Sequence, residues 1–450
     1  MRPQRPSTLL ARDVRAKDMR RASSPSRRSL RWFGGFLLLA GIGVRAPSLS
    51  GAEPSPWFRH HSIATELPGR NLGLGGLELA DFDGDGRRDL VTFNRGDGQV
   101  YWFANEADGR WSRRLVGPLP TMQLGIAVTD VDGDGRPDVV FGGVWLHTPP
   151  DPRGQPFTAR VYDPLIRSEI HDLVAADIDG DGRSDLVALG DREGLFWYKV
   201  PSDPKSERAW ERITITLDVL DQNADIHGGF APAGIGDLDG DGDADLVLAD
   251  RWLENRQAGQ HWVTHRIFFG RRGPWGVSSR SWVADVDGDG DQDIVIADCD
   301  GQNSGVAWLE NSGQQPPHFR PHYLANRAPG TRGSFHSLWY ADFDGDGRED
   351  ILVVEQEDPS ILPVGAGPRW YVFRRSPGSP VRFVEHVILD GALGGHDVRV
   401  ADLDGDGDLD IASKVWATWQ GNANEGRPHI DWLENLRGRA RPDSDGSYPR

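Results

Sequence analysis

"ADFDGDGRRDL", Ala80 to Leu90, places four aspartates and two glycines in eleven residues, with apolar neighbours close on both sides. Four carboxylates so close repel one another, so a counter-charge has to sit among them. The stretch is not unique. It recurs as "DVDGDGRPD" from Asp130, "DIDGDGRSD" from Asp177, "DLDGDGDAD" from Asp237, "DVDGDGDQD" from Asp285, "DFDGDGRED" from Asp342 and "DLDGDGDLD" from Asp402. The six intervals between Asp81 and Asp402 average 53.5 residues. A period of this size marks a propeller or a solenoid.

Each unit reads as four strands. A short stretch such as "LELA" or "LVAA" precedes the loop, and a β-branched run such as "LVLA" or "IVIA" follows it. A tryptophan-centred strand comes third ("YWFAN", "RWLEN", "AWLEN", "DWLEN"), and a fourth closes the unit ("HWVTHRIFF", "VRFVEHVIL"). Four strands joined by turn-rich connections form a propeller blade. The seventh unit stops after its third strand, "DWLEN", while the matching fourth segment, "PWFRHHSIA", stands at Pro56 to Ala64. The expected fold is therefore all-β, a seven-bladed propeller of four-stranded blades over residues 53–437. The N-terminal strand closes the ring, so no unpaired sheet edge is left at the join.

Composition agrees. Gly 56 and Pro 31 in 450 residues favour turns over long helices, and the single cysteine, Cys299, rules out an intrachain disulfide. Residues 1–52 read as an export signal with a preceding segment. Arg27 and Arg28 lead into an apolar run from Trp32 to Val44, and "SLSGA" offers a cleavage site near Ala52. "SRRSLRW" loosely resembles a twin-arginine signal, and Met19 is an alternative start. The mature chain is expected to be periplasmic, surface-bound or secreted, monomeric and without a membrane span, and residues 438–450 form a polar tail. Removing the leader's net +9 leaves −27, which argues against nucleic acid as a partner.

The loops suit calcium, which takes six to eight oxygen ligands and tolerates several carboxylates. In the first loop Asp81, Asp83, Asp85 and Asp89 offer side-chain oxygens and Arg87 its carbonyl. The equivalent positions are Asp130, Asp132, Asp134, Arg136 and Asp138, then Asp177, Asp179, Asp181, Arg183 and Asp185. They continue as Asp237, Asp239, Asp241, Asp243 and Asp245, and as Asp285, Asp287, Asp289, Asp291 and Asp293. Asp342, Asp344, Asp346, Arg348 and Asp350 follow, and Asp402, Asp404, Asp406, Asp408 and Asp410 complete the set. About seven Ca2+ sites are expected, standing in for the missing disulfides. Position seven varies between Arg and Asp, as expected if only its backbone matters. The twelfth position of the first loop is Thr92 rather than a bidentate Glu, so the EF-hand reading fails.

With these loops in hand, the units resemble the FG-GAP and VCBS repeats of bacterial secreted proteins and the calcium-binding blades of integrin α-subunit propellers. A narrower stretch, "DIHGGFAPAGIGDLDG" with "GGHDVRVADLDGDGDLDIASKVW", resembles propellers of the aldos-2-ulose dehydratase type. That second resemblance implies carbohydrate-active chemistry with a metal in the propeller.

The loops mark one face of the disc, so function is expected at the other. Six residues before the first Asp of a loop stand His171, His336 and His396, with His227 on a longer connection. About five after the last Asp stand Asn94, Asp250, Asp298 and Glu355, with Lys414 one residue earlier. These residues are expected to converge on the channel mouth, near Trp145, Trp252, Trp416 and Trp419. Two readings follow. In one the mouth binds a glycan or protein ligand. In the other the histidines and carboxylates hold a transition metal or act as acid and base in a sugar lyase or dehydratase. His60, His61 and the Trp-Leu-Glu-Asn strands read as structural, and "RGD" at Arg95 to Asp97 as chance.

Overall fold

The computed structural model describes residues 57–437 except 70–72, 121–122, 191, 221–225, 268, 326–331, 359–367, 392 and 417–425. The leader, its cleavage site, Trp419 and the C-terminal tail lie outside the described residues. Among the described residues no helix is long and apolar enough to cross a membrane.

Seven small sheets form the ring expected of a seven-bladed propeller, antiparallel except where Pro232–Ala233 adds a short parallel strand to the inner edge of blade 5. Blade 1 runs from the axis outward as Leu74–Ala80, Asp89–Asn94, Gln99–Asn105 and Trp111–Pro118. Blade 3 starts with Ile170–Ala176, blade 5 with Ser279–Ala284 and blade 6 with Phe335–Ala341. Blades 2 and 4 begin with the short strands Ala127–Thr129 and Ile235–Gly236. Blade 7 comprises Asp397–Ala401, Asp410–Lys414, Ile430–Asn435 and, as its outermost strand, Phe58–Ala64. The N-terminal strand therefore closes the ring, with His61 opposite Trp432.

The second strand of each blade is buried along its whole length, as in Asp89–Asn94 and Asp293–Asp298, which explains the unbroken β-branched runs. The Trp-Leu-Glu-Asn motif has a separate task at each polar position. Its Trp stacks on a His of the outer strand: Trp252 on His265, Trp308 on His322 and Trp432 on His61, at 4.3 to 4.5 Å between ring centres. Its Glu bonds the same imidazole at 2.6 Å in all three blades. Its Asn reaches the neighbouring blade. Asn105 Nδ2 donates to Leu403 O, Asn255 to Ile178 O, Asn311 to Leu238 O and Asn435 to Phe343 O.

The acidic loops share one conformation. Asp81 accepts from the amides of Gly84, Asp85 and Gly86, and both glycines have positive φ (73° and 88°), where a side chain would be strained. The ninth residue is buried and spans its blade. Asp89 accepts from Phe82 N and Asn105 N, and the same pairing recurs at Asp245, Asp293 and Asp410. Position seven differs from expectation, because its side chain is used wherever it is Arg. Arg87, Arg136 and Arg183 donate to carbonyls at the end of their own blade's third strand.

Candidate functional site

One cavity of about 450 Å³ occupies the central channel, and all seven blades supply its wall. It contains the four histidines and Lys414 that the offsets single out. The offset works because of a backbone irregularity. In blade 3 the pairing skips between Ile170 and Asp172, and in blade 6 between Phe335 and Ser337. The bulged residues are His171 and His336. A bulge turns one side chain out of the strand's alternation, here into the channel.

The imidazoles form two pairs. His171 and His227 lie 4.1 Å apart between ring centres, and His336 stacks on His396 at 3.6 Å. His396 in turn stacks on Trp416 at 5.1 Å. Arg280 of blade 5 crosses the space between blades, donating to Asp172 Oδ1 (2.9 Å) and to His336 O (3.0 Å). Asp172 also accepts from Gly229 N, Ala231 N and His171 Nδ1. With Nδ1 so engaged, Nε2 is the ring atom of His171 left to ligate or accept. Deeper in the channel, Arg399 pairs with Glu78 and Asp397, and Asp397 accepts from Leu77 N across the closing joint.

Burial dominates the electrostatics. It pushes His171, His336 and His396 below the ordinary histidine range, helped by His227, Arg280 and His336 respectively. All three are neutral imidazoles near pH 7, the form that ligates metals or accepts protons. Burial works the other way on Asp172 and Asp300. It is outweighed at Asp172 by the Arg280 guanidinium, so that carboxylate stays ionised. At Asp300 it is outweighed by the surrounding imidazoles in their protonated form, which hold its carboxyl below the ordinary range. His171, His227 and Asp300 present ligand atoms within 4.8 Å of one another. Asp300 Oδ2 is buried and makes no hydrogen bond of ordinary geometry.

The other half of the counted set falls elsewhere. Asp250 is ion-paired with Arg251 and Arg266. Asp298 lines a separate hollow of about 320 Å³ beside Arg271 and Cys299. Glu355 accepts from Gly333 N, Arg369 N and Tyr371 Oη, and Asn94 bonds Pro68 O and Gly96 N. All four stand on or just beyond second strands, one strand back from the axis. Trp145 and Trp252 are buried in the blades, whereas Trp416 does line the cavity. Sequence reasoning missed Asp172, Arg280 and Asp300, and it missed Trp275. That last residue sits on the cavity rim, 46% exposed, at the turn between Arg272–Gly273 and Gly276–Val277.

The loops at the other face fit a cation by their donor chemistry. Asp81, Asp83 and Asp89 bring ligand atoms within 4.8 Å, as do Asp130, Asp132 and Asp134. Asp83 Oδ1, Asp132 Oδ1 and Asp179 Oδ1 are buried without a hydrogen-bond partner among the described residues.

The family model described as FG-GAP-like repeat matches residues 81–141 and 285–353. Those two stretches carry FG-GAP-like repeats. These two matches run from the acidic loop of blade 1 to the second strand of blade 2, and from the acidic loop of blade 5 into the second strand of blade 6. No curated protein matches. Among solved structures, the chain is similar to BBS1N from its complex with ARL6DN. Identity is 11%, coverage 84% of this chain and 98% of that one, and TM-score 0.47. It is also similar to the V. cholerae biofilm matrix protein Bap1, at 13% identity, coverage of 83% and 82%, and TM-score 0.26. The FG-GAP-like fold points to a ligand-binding or protein-interaction role, and resemblance at these scores identifies no ligand.

Proposed function

We propose that this protein is an exported, calcium-stabilised propeller that binds a carbohydrate or protein ligand in the channel, at the face opposite the acidic loops. The observation that carries this reading is the cavity itself. It combines hydrogen-bonding side chains from six of the seven blades and their connections with an exposed tryptophan on its rim. Neutral imidazoles, fixed carboxylates and arginines offer the dense donors and acceptors that sugar hydroxyls need, and Trp275 gives a flat face on which a pyranose ring can lie. The loops would hold Ca2+ through the first, third, fifth and ninth aspartates and the seventh carbonyl, offsetting their mutual repulsion.

Binding of a glycan panel to wild type and to Trp275→Ala tests the reading. Affinity should drop in the variant with no change in thermal midpoint. Equal affinities, or no binding to any glycan or protein, would sink it.

A second reading rests on His171, His227 and Asp300. Two imidazoles and a carboxylate suit a transition metal, with Asp172 orienting His171 from behind. Such a metal would polarise a sugar carbonyl or hydroxyl in a lyase or dehydratase. Metal content after dialysis against calcium, compared between wild type and Asp300→Ala, decides it: calcium alone in both removes the enzyme reading.

A further inference from the structure

The chain has four lysines among its 50 basic residues, a bias that makes each lysine conspicuous. Lys17 lies in the leader. Lys199 and Lys205 sit against the acidic loops, beside Asp179 and Asp132. Lys414 differs in every respect. It is 2% exposed and lines the channel cavity, and burial outweighs the pull of Asp397 and Glu357 on its ammonium. Its Nζ donates to Leu74 O at 2.8 Å and lies 3.3 Å from His396 Nδ1. A lysine that only held the ring closed would be served as well by arginine, which this chain uses almost everywhere else. Burial lowers its pKa to about 8, so a free amine is within reach at neutral pH.

We propose that Lys414 is a nucleophilic amine that condenses reversibly with an aldehyde or ketone in the channel, so that the ligand class includes open-chain reducing sugars. This rests on the channel being the ligand site. The Nζ lone pair attacks the carbonyl carbon, a C–N bond forms, and the carbonyl π electrons move to oxygen, which takes up a proton. His396 Nδ1, neutral and adjacent, accepts the proton released by nitrogen. Loss of that oxygen as water leaves a C=N bond, and water reverses the sequence. No oxidant or metal is needed.

The test is reductive trapping on the full chain. The folded protein is incubated with glycolaldehyde and cyanoborohydride, digested, and its four lysines are mapped by mass. The expected result is a reduced adduct concentrated on Lys414, its selectivity abolished when the protein is unfolded in urea. Lys414→Arg should lose that adduct, and His396→Gln should slow its formation on the order of 100-fold. Wild-type mapping decides the matter even if a variant fails to fold. Labelling spread over Lys17, Lys199 and Lys205, or no adduct at all, overturns the proposal. Glycan binding measured in parallel separates the two readings. Binding without trapping removes Lys414's role and leaves the channel as a ligand site, whereas absence of both removes both.

Discussion

Replacing Arg280 with methionine removes the guanidinium that joins blade 5 to blades 3 and 6 while keeping much of its apolar stem. Its partner Asp172 is 1% exposed, so the carboxylate cannot turn to water for compensation. Opposite charges about 4 Å apart attract by about 4 kcal/mol at an effective dielectric of 20. Breaking one side of a buried pair costs about 3–5 kcal/mol. Asp172 keeps two backbone amides and His171 as donors, which places the expected loss near the lower end, about 3 kcal/mol. Urea unfolding reads it as a drop in midpoint at unchanged slope. The control is the double variant Arg280→Met with Asp172→Asn, which should be no less stable than Arg280→Met alone because the orphaned charge is gone. Two losses that simply add, or a single variant within about 0.5 kcal/mol of wild type, would refute the account.

Chelation by EDTA should lower the thermal midpoint, and calcium rather than magnesium should restore it; an unchanged midpoint removes calcium from the account of stability. Asn311→Ala strips a donor from the buried carbonyl of Leu238 and from the half-buried carbonyl of Gln292, and should cost about 1–3 kcal/mol by urea unfolding. Lys414 has its pKa lowered from 10.5 to about 8, so between those values the unfolded chain binds the extra proton. Stability gained from this group therefore rises with pH through that window, and the rise should be missing in Lys414→Met.

The ring was legible because its cause is written in the chain seven times. A loop of fixed aspartates and glycines, a buried second strand and a Trp-centred third strand each repeat at the same spacing. The channel was half legible. His171 and His336 share an offset because the same bulge occurs at the same place in two blades, so counting finds them. Counting from the other side of the loop found Asp250 and Glu355, whose side chains are satisfied by Arg251, Arg266 and backbone amides. Their strand stands one back from the innermost, about 4.8 Å further from the axis. Of that counted set Lys414, on the second strand of blade 7, does line the cavity. Arg280 and Asp172 sit one residue beyond the histidine position, where no repeated letter marks them. Asp300 lies past the end of its strand with a positive φ of 60°, outside any repeat register. Trp275 belongs to a hairpin that, among the described residues, blade 5 alone has before its first strand.

The seventh blade imposes an order of events on the whole chain. Among the described residues, Phe58–Ala64 pairs in its sheet with Ile430–Asn435, across all of blades 1 to 6 in the chain. Until Ile430–Asn435 has been made, that first strand lacks its partner in the sheet. At the joints of the same blade Asn435 bonds blade 6, Lys414 bonds Leu74 and Asp397 accepts from Leu77. A premature stop a few codons before Asn435 would therefore not trim an end. It would detach the first strand and open the last blade from its outer side.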